Sequence, residues 1–285
     1  MFLQLLIILN FKLMKQLFYI FILLLGFTSC EDVIDVDVPN GEPRLVVDAS
    51  FEVYLNEVPV TVKNSIQLSL SAPFFGNTIP KVNDATVFIT DLSDGTIINY
   101  TETNGTGFYI PSSTFLPEFN VDYELTIIYN SETYKATTQM FASVPIDNIE
   151  QGDGTLFEGD ETEIIVSFTD DGARDDFYLF NFDFDLLEVS EDRFYQGESF
   201  NFSYFYEDVT AGQNITIKIL GIDKRFFNYA GLLIDQSDPD GGGPFATPPA
   251  LLRGNVINTT NSDNYALGYF NLSEANQLDF TIQEK

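Results

Sequence analysis

The sequence has no histidine, no tryptophan and a single cysteine among 285 residues. Without histidine no Ser-His-Asp or Cys-His relay can be assembled. Zinc, copper and non-haem iron sites that depend on imidazole go with it. One cysteine excludes an intrachain disulfide and a thiolate cluster. Cationic residues are also scarce, with 13 Lys and Arg against 43 Asp and Glu, a net charge of −30. Such a surface repels phosphate backbones, so no nucleic-acid partner is expected. It offers no electrostatic attraction to anionic lipid either. The charge is a solubility feature, and its sharper reading is binding of cations or basic partners. Chemistry here would have to rest on carboxylates, tyrosine, lysine or a hard metal. With 43 acids, carboxylate pairs arise by chance and none is marked out, so a non-enzymatic protein without a cofactor is expected.

Aromatic residues, by contrast, are abundant, with 28 Phe and 14 Tyr, and the chain is 45% hydrophobic. Gly and Pro are spread along it with no repeat period. This is the profile of a folded β-rich protein with many turns.

The N-terminus reads as a lipoprotein leader. Met14 and Lys15 precede an apolar run from Leu17 to Phe27, then Thr28, Ser29 and Cys30. A basic start, an apolar core, small residues and a cleavage point make a secretory signal. With Cys at the cleavage point, it resembles the bacterial lipoprotein signal. That resemblance implies removal of residues 1–29 and acylation, palmitate included, of Cys30, with two or three chains giving a stable anchor. Phe27 stands where such signals prefer Leu, and Met14 is the expected translation start. A transmembrane anchor over residues 1–29 would bury Lys12 and Lys15 near mid-membrane, which is costly. Glu31, Asp32, Asp35 and Asp37 follow in an acidic tether over residues 30–43. They resemble a surface-export signal, so surface exposure at the outer membrane is expected over a periplasmic location.

Seven strand-like runs follow over residues 44–145: 45–51, 66–70, 85–90, 96–100, 107–110, 123–127 and 133–137. Ser93-Asp94-Gly95 and Asn130-Ser131 read as hairpin turns. The expectation is an immunoglobulin/transthyretin-like sandwich without an antibody-type core. A Gly/Asp/Pro-rich stretch from Val144 to Gly159 marks a boundary, with a second β-rich domain over residues 146–285. There, 163–168 and 215–220 read as strands. Phe177 to Val189 alternates, with Phe180, Phe182, Phe184 and Leu186 on one face. Asp223 is placed to cap one helix carrying Phe226, Phe227, Ala230, Leu233 and Ile234. Strands 251–257, 266–270 and 278–282 close the chain.

Three segments carry a family resemblance: Phe226-Phe227-Asn228-Tyr229, Pro248-Pro249 leading into Leu251-Leu252-Arg253-Gly254-Asn255-Val256, and Ala266-Leu267-Gly268-Tyr269-Phe270-Asn271-Leu272-Ser273. With Leu45-Val46-Val47-Asp48 and Asp84-Ala85-Thr86-Val87, they resemble domain-of-unknown-function family 4249. The resemblance implies an outer-membrane lipoprotein, often encoded beside a TonB-dependent receptor, and brings no catalytic residue. Its expected role is an accessory or substrate-binding partner of such a β-barrel transporter. The alternative is a glycan-binding, adhesive or carbohydrate-active surface protein. Gly254 and Gly268 are expected at bends or close backbone contacts.

Candidate contact residues are Phe202, Tyr204 and Tyr206 in an aromatic-rich strand, where cross-strand packing competes with ligand or partner contact. Phe245 is another, the lone aromatic of the Gly/Pro-rich loop Asp235 to Pro249. Asp238 and Asp240 resemble a calcium loop faintly; the spacing departs from Asp-x-Asp-x-Asp-Gly, and a solvated loop is the plainer reading. Asp170, Asp171, Asp175 and Asp176 with Arg174 are expected to form a solvated acidic turn.

Overall fold

The computed structural model describes residues 41–73, 78–156, 159–184, 186–237 and 251–284. Cys30, Asp238, Asp240 and Phe245 lie outside these residues. The described chain from Glu42 onward is one compact unit, mainly β with a single α-helix among its described residues.

The first half builds nine strands: β1 (Leu45–Tyr54), β2 (Thr61–Lys63), β3 (Ile66–Leu70), β4 (Thr86–Asp91), β5 (Ile97–Glu102), β6 (Phe108–Pro111), β7 (Tyr123–Tyr129), β8 (Glu132–Thr138) and β9 (Met140–Phe141). All seven expected runs are present. The turns work as their residues require. Asn130 and Ser131 both have positive φ, 50° and 63°, which matches the twist of the β7–β8 hairpin. Between β4 and β5, Gly95 takes φ 80° and Asp94 Oδ1 accepts from Thr96 N at 2.8 Å.

The second half adds β10 (Ile146–Gln151), β11 (Thr162–Thr169), β12 (Phe177–Asn181), β13 (Leu187–Glu191), β14 (Ser199–Tyr206), β15 (Asn214–Ile222), the helix α1 (Lys224–Ser237), β16 (Ile257–Asn258) and β17 (Leu267–Thr281). β10, β11 and β14 form a three-stranded sheet. It shares a core with β12 and β15, built on Ile164, Val166, Phe168, Phe180, Phe182, Ile215 and Ile217.

The other sheet runs β13-β12-β15-β17-β1-β3-β6-β5-β4-β7-β8-β16. Its hinge is β17. From Leu267 to Glu274 this strand lies parallel to β1, the first strand of the unit. From Ala275 to Thr281 it pairs antiparallel with β15. Phe270 and Leu272 thereby complete the first core, beside Val47, Phe51 and Leu68. Val256 and Ala266, from well beyond Pro145, sit in this first core as well.

Three expectations need correction. Phe177 to Val189 is a hairpin, because β12 ends at Asn181 and β13 returns antiparallel. Asn181 Oδ1 accepts from Asp183 N at 2.9 Å, Asp183 and Phe184 take φ 69° and 50°, and Leu186 N donates back to Asp183 O. Asx side chains that bond nearby backbone tolerate this left-handed turn. In addition, 266–270 and 278–282 belong to one 15-residue strand. The polar stretch between them is buried: Ser273 is 0% exposed, and Asn276 accepts from Asn56 Nδ2 at 2.6 Å. Leu251 to Val256 contains no strand.

Candidate ligand cleft between helix and sheet

β1 alternates strictly. Leu45, Val47, Ala49, Phe51 and Val53 face the first core, while Asp48, Ser50 and Glu52 face outward. The parallel register sets Asp48 beside Tyr269, Ser50 beside Asn271 and Glu52 beside Ser273. The outer face of the β1–β17 pair is therefore polar, although it lies at the centre of a large sheet.

The helix partly covers this region. Asp223 starts it as expected: its Oδ1 accepts from Phe226 N at 2.7 Å and its carbonyl from Phe227 N at 2.9 Å. Phe226 and Ala230 are buried against Ile222 and Tyr269, with Leu179 and Val189 alongside. One turn further, Leu233 and Ile234 reach past the sheet contact. Between helix and sheet lies an open cleft of about 620 Å³. Its floor holds Asp48, Ser50 and Asn271, and its walls Leu179, Leu187, Leu220, Leu233, Ile234 and Leu252. This size and mixture, apolar walls with a few convergent polar groups, suits a small-molecule site.

The cleft has an aromatic end and an ionic end. At the first, Tyr229 and Tyr269 lie with ring centroids 5.0 Å apart, and Phe226 packs on Tyr269 at 4.8 Å. Burial raises the Tyr229 hydroxyl above its usual range, and the nearby Asp48 charge adds to this. At the other end, Glu52 is bridged by Lys218 at 3.0 Å and Lys63 at 3.2 Å, and Tyr54 donates to it. Burial would raise the Glu52 carboxyl, but the Tyr54 hydroxyl and the two ammonium groups together bring it below its ordinary value. Asp48 differs: among the described residues its carboxylate makes no ion pair and no hydrogen bond. The buried Asn271 Oδ1 also accepts nothing among those residues, its Nδ2 donating to Ser273 at 2.7 Å.

The wall residue Leu252 is positioned by the glycines read from sequence. A Cβ on Gly254 would sit 1.5 Å from Gly268 O, and one on Gly268, at φ 92°, would sit 1.9 Å from Val47 O. Three backbone segments thus stack in direct contact, as the expected close approaches require. Asn255 then acts as a strand surrogate. Its Nδ2 donates to Phe270 O at 2.8 Å and its Oδ1 accepts from Phe270 N at 2.9 Å. Arg253 and Arg44 stack on the Tyr265 ring, 3.6 Å and 4.0 Å from its centroid.

The aromatic candidates lie elsewhere. Phe202 stacks on Phe180 and Phe182 at 5.6 and 5.5 Å, and Tyr204 on Phe182 at 4.4 Å. Tyr206 is buried and its hydroxyl donates to Phe182 O at 2.6 Å. Tyr204 and Tyr206, with Phe184, line a second groove of about 510 Å³.

The acidic turn is solvated only in part: Asp171 and Asp175 are exposed as expected, and the rest of the cluster corrects the expectation. Asp170, Asp176 and Asp192 are buried. The Tyr178 hydroxyl donates to Asp170 at 2.6 Å, Arg174 pairs with Asp176 at 2.9 Å, and Asp192 accepts from Asp176 N. Burial pushes the Asp176 and Asp192 carboxyls up, against the bonds each one accepts. Gly172 and Gly197, both exposed, approach backbone to backbone beside this cluster. Among the described residues no group of three or more acidic or cysteine side chains is placed to hold a metal ion.

The segments that build this cleft and its supports fall within the match to the family described as domain of unknown function (DUF4249), which covers residues 31–278. The chain belongs to the DUF4249 family. No curated protein matches the sequence. No single segment of this DUF4249 sequence points to the cleft. Its signal was the conjunction of a polar outward face on β1 with an aromatic-aliphatic helix too apolar for one sheet contact.

Proposed function

We infer that this DUF4249 protein is a lipid-anchored surface protein of the outer membrane that binds its ligand without transforming it. It would serve as an accessory or substrate-binding partner of a TonB-dependent transporter. The observation that carries the binding role is the cleft under α1, with its apolar walls and uncommitted polar floor. The anchor and the transporter rest on the leader ending at Cys30 and on the family resemblance. Tagged full-length protein, purified from native membranes without crosslinking, should bring down a β-barrel receptor. Recovery of the protein alone at matched expression counts against the transporter role. Intact mass should show acylated Cys30 without residues 1–29, and Cys30→Ala should release the protein from the membrane fraction. An unmodified Cys30 with the leader retained refutes the anchor.

One observation favours the second reading, a glycan-binding surface protein. The groove beside Tyr204 combines an aromatic ring with Glu207, Asp208 and Gln213, a pairing that suits sugar faces and hydroxyls. Glycan retention that is lost in Tyr204→Ala would shift the assignment to it.

A further inference from the structure

The charge inventory of the cleft beneath α1 is unbalanced. Two carboxylates line it. Glu52 is neutralised by Lys218 and Lys63. Asp48 has no cation of its own among the described residues. It stands in register with Tyr269, whose ring neighbours Tyr229 at 5.0 Å. Of the other floor groups, the buried Asn271 Oδ1 is again an acceptor, and the Ser50 hydroxyl can accept as well as donate. A carboxylate beside two tyrosine rings is an environment that attracts an ammonium group. The apolar walls ask for a hydrocarbon or aromatic body, and the net charge of −30 raises the local concentration of any cation.

We propose that the cleft takes an amphipathic cation, with an ammonium group between Asp48 and the Tyr229–Tyr269 rings and an apolar body along Leu179, Leu220 and Leu233. An anionic ligand would meet an unpaired carboxylate, and a neutral one would leave that carboxylate without a partner. The inference rests on the cleft being a binding site, and the test separates the two ideas.

Three probes of one shape suffice: 2-(1-naphthyl)ethylammonium, 2-(1-naphthyl)ethanol and 1-naphthaleneacetate. The chain has no tryptophan, so naphthalene emission can be excited beyond tyrosine absorption. Anisotropy is read with full-length protein in nanodiscs, with empty nanodiscs as the blank. The ammonium should bind about tenfold more tightly than the alcohol, the acetate not at all, from one ion pair and its ring contacts. Asp48→Asn should bring the ammonium down to the level of the alcohol and leave the alcohol unchanged. Asp48 is exposed on its strand, so this change leaves the fold intact. Leu233→Asn should weaken ammonium and alcohol alike. If ammonium and alcohol bind equally, Asp48→Asn does nothing and Leu233→Asn weakens both, the cleft is a site but the cation assignment is overturned. Tightest binding by the acetate overturns it as well. If no probe exceeds the blank, the cleft reading falls together with the assignment.

Discussion

Replacing Gly268 by alanine should weaken the junction on which both cores depend. Two costs add. At φ 92° an L side chain meets its own backbone, worth about 1–2 kcal/mol. The new Cβ would also lie 1.9 Å from Val47 O, and overpacking of this kind costs about 1–3 kcal/mol. Together they take about 2–5 kcal/mol from a total stability of about 5–15 kcal/mol. For a chain of this length, that lowers the melting temperature by roughly 5–15 °C.

Two controls separate the terms. Gly212 has φ 85° with nothing within 4 Å of its would-be Cβ, so Gly212→Ala isolates the conformational cost, about 1–2 kcal/mol. Gly254 has no positive φ, but its Cβ would sit 1.5 Å from Gly268 O, so Gly254→Ala isolates the clash. Urea melts followed by circular dichroism should rank Gly268→Ala as more costly than Gly212→Ala. If both cost the same, the three-layer backbone stack is not what holds β17 to β1, and the reasoning fails.

Asn255→Leu should cost about 1–3 kcal/mol in the same melts, since it leaves both backbone groups of Phe270 unpaired beside the core; Asn255→Asp, which keeps only the acceptor, should recover part of this. Asp223→Ala should cost about 1 kcal/mol through loss of the α1 cap and should lower probe affinity at the cleft; unchanged stability would show that the helix start is held by packing alone. A fragment of residues 44–145 lacks Phe270 and Leu272 and bares one edge of β1, so it should give a disordered circular-dichroism spectrum, and a cooperative melt would refute the role given to β17. Asp192 carries a carboxyl raised by burial, so the folded state holds its proton to higher pH than the unfolded chain does. That group costs stability as pH rises from its ordinary range through the raised value. Asp192→Asn should therefore stabilise at pH 7, with the gain vanishing below about pH 4, and equal melts of both proteins across that range would overturn it.

The hairpins were legible because their turns are made of residues that need those turns. Asp94-Gly95 and Asn130-Ser131 fix φ locally, and the strands on either side alternate with one polar face. The same residue chemistry was missed at Asn181 and Asp183. There the alternation of Phe180, Phe182 and Phe184 continued straight through a reversal, since a side-chain period of two survives a tight turn. The single strand β17 was read as two because polarity was taken for exposure. Ser273 and Asn276 are polar and buried: Asn271 of the same strand donates to Ser273, and Asn56, 220 positions away, donates to Asn276. No local window shows that.

The cleft was illegible for a related reason, and the reason says something about how it works. Its floor comes from the two strands that bring the ends of the described fold together, Asp48 on β1 and Asn271 on β17, 223 positions apart in the numbering. In isolation Asp48 and Ser50 are the ordinary outward residues of a half-buried strand. Only the parallel register sets Asp48 beside Tyr269 and carries the pair under α1. The site therefore exists only while the last strand is docked on the first. The Gly254–Gly268–Val47 stack that holds this docking also seats Leu252 in the wall. A ligand that touches both strands binds the folded state alone and must stabilise it by mass action. A saturating ammonium probe should thus raise the melting temperature of the native chain, and that of Gly268→Ala as well, and raise that of Asp48→Asn by less. A probe that binds the native protein yet shifts no melting temperature would place its site away from the β1–β17 junction.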